Sequence, residues 1–144
     1  MNEACRITVE TEPRATDINA ITLGLLAYNS EKTGGASFEY LVLTVRDENG
    51  EVAGGLVAVV YLGWLHIQAL WLKEELRGRG YGDSLLAMAE QEGIKRGCVN
   101  ACLETFSFQA QPFYEKRGYN TYAELADYPP GGKKYFLSKS LKAQ

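Results

Sequence analysis

Residues 77–82 read Arg-Gly-Arg-Gly-Tyr-Gly, so three glycines alternate with side chains that suit water or a ligand. The stretch follows an apolar run predicted as a strand and precedes a predicted helix over 81–95. The first turn of a helix leaves backbone N–H groups without partners, and its dipole favours anions. Glycines let a phosphate group approach those N–H groups closely. The stretch predicts a phosphate-binding loop, with a flexible turn carrying two solvated arginines as the alternative.

Glycine spacing decides between the known kinds of phosphate loop. A Walker loop, G-x-x-x-x-G-K-[ST], is absent, because no glycine at that spacing precedes Lys-Ser or Lys-Thr. A dinucleotide fingerprint, G-x-G-x-x-G, needs glycine where Asp83 or Leu85 stands. Glu104 lies near the distance expected of a ribose-binding acid. A dinucleotide-dependent enzyme is therefore a low-ranked hypothesis.

Two motifs in the right order resemble the GNAT superfamily of N-acetyltransferases, which use acetyl-coenzyme A. Arg77-x-x-Gly80-x-Gly82 is similar to the family's pyrophosphate-binding motif. Residues 110–119, Ala-Gln-Pro-Phe-Tyr-Glu-Lys-Arg-Gly-Tyr, resemble its A-x-x-x-Y-E-K-x-G-[FY] signature. The resemblance is specific over residues 52–125, and residues 104–110 and 127–131 resemble one bacterial branch.

The resemblance implies a coenzyme site made from the loop and the strand before it. In the family that strand splays from the next one, often at a bulge, and main-chain groups in the gap hold the pantetheine arm. Ser107 stands where the family often has an asparagine that contacts pantetheine, although it could instead cap a helix. The implied coenzyme-binding residues are Leu70, Trp71, Leu72, Arg77, Gly78, Arg79, Gly80, Tyr81, Gly82, Asp83 and Ser107.

Direct acyl transfer to an amine requires an acid, an oxyanion donor and a base. The family match makes Tyr114 the acid that protonates the leaving thiolate; simple packing is its structural alternative. The oxyanion donor would be a backbone N–H near Leu70. The base is His66, Glu104 or a water molecule. His66 is the single histidine of the chain and could equally be structural, while Glu104 could face solvent or bind a substrate cation.

Composition predicts one soluble domain, residues 1–144, with a net charge of −3 and 46% hydrophobic residues. Residues 1–72 carry 4 basic and 9 acidic side chains, and residues 73–144 carry 11 and 9, so the loop lies in the more basic half. Cys5, Cys98 and Cys102 with one histidine make no plausible zinc site, and no metal is expected. We expect a cytoplasmic protein, since no signal peptide or spanning segment is evident.

Alternating and helical patterns predict the order of the secondary structure. The fold class is α+β (mixed α/β): a GNAT-like domain with a mostly antiparallel, twisted sheet of about six to seven strands flanked by helices, and one βαβ crossover at the loop. Strands are predicted over 5–10, 38–46, 52–61, 64–72, 99–104, 119–124 and 134–141, and helices over 16–30, 81–95 and 109–116.

The predicted function is acetyl transfer from acetyl-CoA to a primary amine of a small molecule or peptide in a ternary complex. The alternative is a non-catalytic acyl-CoA-binding regulatory module. Aromatic and acidic residues would suit a cationic acceptor, and the resemblance loosely implies Tyr40, Trp64, Glu104, Asp127 and Tyr128. No nucleic acid or membrane partner is expected, and a homodimer is possible because dimers are common among relatives.

Overall fold

The structure is a computed structural model that describes residues 4–142. A short 3-10 turn spans Glu74–Leu76. The elements are α1 (Ala15–Lys32), β1 (Glu39–Arg46), β2 (Val52–Tyr61), β3 (Trp64–Leu72), α2 (Tyr81–Lys95), β4 (Asn100–Phe106), α3 (Gln111–Glu115), β5 (Asn120–Ala126) and β6 (Lys133–Ser140).

Six strands form one sheet in the order β1-β2-β3-β4-β6-β5. Only β3 and β4 are parallel neighbours, and α2 makes the crossover between them. The other four neighbouring pairs are antiparallel. This confirms the predicted mixed fold, with six strands and one crossover at the glycine loop.

The chain divides into two compact units, one through Ala36 and one from Ser37 onward. In the first, Gly34 and Gly35 with φ of 72° and 92° follow α1, and the Gly35 N–H donates to the Ser30 carbonyl at 2.8 Å. The predicted strand over 5–10 is wrong, because this segment has no regular structure. Alternation of side chains alone supplies no partner for backbone hydrogen bonds. The single domain over 1–144 stays a prediction.

The second unit contains the sheet and α2, which share one apolar core. Leu85, Leu86, Ala89 and Gly93 are the buried residues of α2. A Cβ on Gly93 would lie 3.3 Å from the Leu65 side chain, so α2 approaches β3 closely at this point. The largest fully buried side chains are Tyr119, Leu56, Leu65, Leu86, Leu103 and Leu137.

The sheet opens between β3 and β4. Their parallel pairing runs from Trp64 with Asn100 to Ile67 with Leu103 and then stops, although both strands continue. At the same point β3 carries a bulge: Ile67 pairs with Ala58 and Ala69 with Val57, which leaves Gln68 as the extra residue. Beyond Ile67, β3 therefore pairs with β2 alone.

No helix within residues 4–142 is long and apolar enough to cross a membrane. The same residues contain no group of three or more His, Cys, Asp or Glu side chains placed to hold a metal ion.

Gly55 in β2 tests how closely β1 and β2 approach. Its Cβ would collide with the Leu43 carbonyl oxygen and lie 3.3 Å from the Thr44 Cα. Gly55→Ala is expected to lower the free energy of unfolding by about 1–3 kcal/mol, since backbone atoms must shift. Urea or thermal unfolding measures it.

Gly24→Ala is the matched control, because Gly24 lies within α1 and a Cβ there meets nothing within 4 Å. This change should raise the free energy of unfolding by about 0.5–1 kcal/mol through helix propensity. Equal effects of the two substitutions would contradict the close approach at Gly55.

Candidate active site

The first part of the site is the gap between β3 and β4, which we call the strand cavity. It has a volume of about 400 Å³. Past Ile67, the edge of β3 that faces the gap has no strand beside it, so backbone N–H and C=O groups on that edge remain available. The lining residues are Ile67, Gln68, Ala69, Leu70, Trp71, Leu103, Glu104, Thr105, Phe106, Gln109, Ala110 and Tyr114.

The second part is the glycine loop, which ends at the N-terminus of α2. Gly78 and Gly80 adopt φ of 76° and 88°, in the left-handed region that favours glycine. Gly80 is the N-cap, and no side chain caps the helix. The first intrahelical bond runs from the Ser84 N–H to the Gly80 carbonyl, so the preceding N–H groups of the first turn are available to an anion.

Arg77 fixes one end of this loop. Its Nε donates to the Leu72 carbonyl at 3.0 Å, which holds the loop against the end of β3. No residue within 4–142 pairs with its remaining guanidinium nitrogens. A positive charge therefore stays available beside the N-terminus of α2.

The loop cavity, of about 610 Å³, lies beside these groups. Phe113 closes one side, and a Cβ on Gly82 would lie 3.3 Å from its ring, so the first turn of α2 approaches α3 closely at this glycine. The lining residues are Leu70, Trp71, Leu72, Arg77, Gly78, Gly80, Gly82, Asp83, Ala110, Phe113, Tyr114 and Arg117.

Arg117 joins the two helices at the loop cavity. Its Nε donates to the Asp83 carboxylate at 2.6 Å, and another guanidinium nitrogen donates to the Phe113 carbonyl at 2.8 Å. The guanidinium carbon lies 3.8 Å from the centre of the Phe113 ring. Asp83, predicted to bind the coenzyme, therefore lines the cavity with its carboxylate engaged by Arg117.

Tyr114 lines both cavities. It is buried, its ring meets the edges of the Phe113 and Tyr119 rings, and no residue within 4–142 hydrogen-bonds its hydroxyl. Burial raises the pKa of the Tyr114 phenol above its ordinary value of 10.0. The group is therefore a protonated donor at neutral pH, placed where the two cavities meet.

Tyr119 is a core residue that packs behind Tyr114. It is 2% exposed, and its hydroxyl donates to the Glu90 carboxylate at 2.8 Å. Burial, and then the charge of Glu90, raise its pKa. Lys139 pairs with the other oxygen of Glu90 at 2.7 Å, so the network behind Tyr114 is satisfied.

His66 and Glu104 form a pair across β3 and β4. The His66 Nε2 and a Glu104 carboxylate oxygen are 2.7 Å apart, with side chains 39% and 31% exposed. Glu104 lines the strand cavity and His66 does not. The two residues that the sequence offers as alternative bases are thus hydrogen-bonded partners, and the carboxylate is the one beside the cavity.

Three residues predicted to bind coenzyme lie outside the linings of both cavities: Arg79, Tyr81 and Ser107. The Ser107 hydroxyl accepts the Lys133 N–H at 3.0 Å, and the Ser107 N–H donates to the Lys133 carbonyl at 2.8 Å. Ser107 therefore holds the start of β6 rather than a helix, because the chain turns directly after β4.

Gln109 and Thr105 are polar residues of the strand cavity that sequence reasoning missed. The Gln109 side-chain oxygen accepts the Phe106 N–H at 2.9 Å and the Thr105 hydroxyl at 3.2 Å. Its amide nitrogen has no partner within residues 4–142. Arg117 was also missed, because it stands at a variable position of the recognised signature. No spacing rule marks these residues, since the contacts of Gln109 and Thr105 depend on the turn after β4 and Arg117 contacts Asp83 on a different helix.

Comparison with known proteins agrees with this geometry. Residues 8–119 match the model of the Acetyltransferase (GNAT) family. A blasticidin-S acetyltransferase of Streptomyces morookaense is 44% identical over 95 residues, which cover 65% of this chain and 70% of the relative. The acetyltransferase Atu2258 of Agrobacterium fabrum is 38% identical over 120 residues, covering 83% and 88%.

Among solved structures, an acetyltransferase from Agrobacterium tumefaciens superposes with a TM-score of 0.87. It is 34% identical and covers 94% of this chain and 99% of its own. The fold, the family model and the two relatives agree, and this chain belongs to the GNAT family of acetyl-CoA-dependent acetyltransferases.

Proposed function

We propose that this protein transfers the acetyl group of acetyl-CoA to the primary amine of a small molecule, by direct attack in a ternary complex. The observation that carries the proposal is the junction at Tyr114, where an anion-binding loop and an open strand edge share one continuous wall. Leu70, Trp71, Ala110 and Tyr114 line both cavities.

The residues present fit the coenzyme along its length. The free N–H groups of the first turn of α2, together with Arg77, supply a site for the pyrophosphate. The unpaired edge of β3 offers backbone groups to the amides of pantetheine, and Gln109 offers a side-chain amide where we expected Ser107 to act. When bound, acetyl-CoA supplies an activated thioester carbonyl.

Tyr114 is the proposed acid. Its hydroxyl carries a proton and has no competing partner within residues 4–142, and the residue lines both cavities. It gives that proton to the sulfur that leaves. A backbone N–H of β3 near Leu70 stabilises the negative charge that develops on the carbonyl oxygen.

Glu104 is the proposed base, and His66 is its positioning partner. Glu104 lines the strand cavity and can accept the proton of the attacking amine. The His66 Nε2 lies 2.7 Å from one oxygen of that carboxylate, and His66 is exposed enough to pass a proton to water. The pair provides a route from the cavity to solvent.

A small-molecule acceptor is favoured over a peptide by the relative named for blasticidin-S, which matches this chain at 44% identity. A peptide amine is the second candidate acceptor and is tested in the same thiol-release assays. Substitution of Tyr114 or Glu104 distinguishes the enzyme from a non-catalytic coenzyme-binding module. In such a module, there would be no acetyl transfer for either substitution to reduce.

A substitution at Gly80 tests whether the glycine loop binds the pyrophosphate of the coenzyme. Gly80→Ala forces a side chain onto a φ of 88°, at a strain of roughly 1–2 kcal/mol. Reorientation of the N–H groups should weaken acetyl-CoA binding about tenfold or more, since bonds to charged groups contribute about 1.5–3 kcal/mol each. Titration calorimetry measures it.

Gly97→Ala is the matched control. Gly97 has a φ of 89° beyond the other end of α2, and a Cβ there, as at Gly80, would meet nothing within 4 Å. It should lose similar stability without losing coenzyme affinity. Equal affinity in both variants would exclude the loop as the phosphate site.

Tyr114→Phe should lower kcat by about 10²–10⁴-fold with little change in acetyl-CoA affinity, because only the transferable proton is removed. In the wild-type protein, raised pKa means that the phenol stays protonated to higher pH. Activity that depends on this acid should be lost only as pH rises above about 10. Stopped-flow thiol release gives both results, and an undiminished kcat in Tyr114→Phe would reject the assignment.

Glu104→Gln should reduce kcat by about 10²–10⁴-fold, the range of a general base. His66→Gln should reduce it less, since it removes a support and leaves the carboxylate. Glu92→Gln, at an exposed carboxylate of α2 that pairs with Arg96, is the control and should be silent. A larger loss in His66→Gln than in Glu104→Gln would reverse the two roles.

A further inference from the structure

A third cavity lies beyond the end of β4, and we call it the aromatic cleft. It has a volume of about 530 Å³ and is lined by Phe106, Phe108, Asp127, Tyr128, Pro129 and Pro130. Three rings and two prolines make its walls, and Asp127 is the single charged residue of this lining. Rigid apolar walls with one directed polar group are typical of a small-molecule site.

The aromatic cleft adjoins the strand cavity. Phe106 lines both of them. Glu104 lies two residues before Phe106 on β4, and alternate residues of a strand share a face about 7 Å apart. A molecule seated in the cleft can therefore present an amine to Glu104 at that distance from its ring.

The rings of the cleft are arranged for a flat occupant. Phe106 and Phe108 are stacked, with centroids 5.3 Å apart and planes 4° apart. Phe108 is 68% exposed, so much of its ring is still available to stack on. Because two aromatic planes are already parallel here, a third flat ring can extend the stack.

The position of Lys134 favours a neutral ring in the bound molecule. Its ammonium lies 4.7 Å from the Tyr128 ring centre and 5.5 Å from that of Phe106. These rings already have a cation, and a second positive charge beside them would be repelled. The amine of the acceptor is therefore separate from the ring that the cleft holds.

Asp127 supplies a hydrogen-bond acceptor to the ring edge. Its backbone adopts a φ of 56°, and its N–H donates to the Gly132 carbonyl at 3.0 Å. Its carboxylate has no hydrogen bond or ion pair within residues 4–142. An N–H group on the edge of a stacked ring would donate a hydrogen bond to this carboxylate.

We propose that the aromatic cleft is the subsite that recognises the acceptor. The acceptor is an amine that also carries a flat neutral ring about 7 Å from its nitrogen, with an N–H on the edge of that ring. Phe108 stacks on the ring, and Asp127 accepts the N–H. This proposal rests on the proposed function, since it takes Glu104 as the base.

Ring stacking is tested with phenethylamine and its saturated analogue cyclohexylethylamine, titrated calorimetrically into protein saturated with CoA. The flat amine should bind more tightly, and Phe108→Leu should weaken it about tenfold while leaving the saturated amine unchanged. Met88→Leu, an exposed apolar change on α2 that lies outside the three cavities, should affect neither. Equal binding of the two amines, or no binding of either, would overturn the proposal.

The edge contact is tested with tryptamine and its indole-N-methyl analogue. Asp127→Asn keeps a residue that tolerates the left-handed backbone and removes the charge. It should weaken tryptamine several-fold and spare the methylated probe; equal effects on both probes would overturn the role of Asp127. CoA binding in the same samples separates the hypotheses: if CoA binds and no ring preference appears, only the cleft proposal fails, and if CoA does not bind, the proposed function fails.

Discussion

The site depends on the point at which β3 and β4 stop pairing. Parallel strands normally continue to exchange backbone hydrogen bonds, and an unpaired edge inside a sheet loses them. Here pairing ends after Ile67 and Leu103, and the bulge at Gln68 turns β3 away from β4. The open edge leaves backbone groups that can hydrogen-bond to water or to a bound molecule. The end of pairing also places Glu104 and Tyr114. Glu104 lies directly after Leu103, the last paired residue of β4, and Tyr114 lies on α3, the next helix in the chain.

Side-chain contacts fix the position of the glycine loop relative to the gap between β3 and β4. Arg77 ties the loop to the last residue of β3, and Arg117 ties α2 to α3 through Asp83 and Phe113. Behind Tyr114, the Tyr119 ring packs against it, and the Tyr119 hydroxyl donates to the half-buried Glu90 carboxylate. The proposed anion-binding end and the proposed reacting end are therefore connected by direct contacts within the second unit of the chain.

The sequence predicted the elements whose signals are local. The glycine loop and α2 follow from glycine positions and helical periodicity, and the structure has them. The strand expected over 5–10 failed because its pairing partner had to come from elsewhere in the chain. The Ser107 hydroxyl accepts the Lys133 N–H after the turn that follows β4, a contact that its family position did not indicate, and its role at the coenzyme stays a prediction. The 2.7 Å contact of His66 with Glu104 joins residues 38 positions apart, which a linear pattern cannot show.

We propose that one coenzyme molecule spans the loop and the strand gap, and a crystal structure of the protein with acetyl-CoA would show whether it does. The pyrophosphate should lie at the N–H groups that begin α2, pantetheine between residues 68–72 and 104–106, and the thioester beside Tyr114. A coenzyme bound elsewhere, or with its thioester away from Tyr114 and Glu104, would rule out this arrangement.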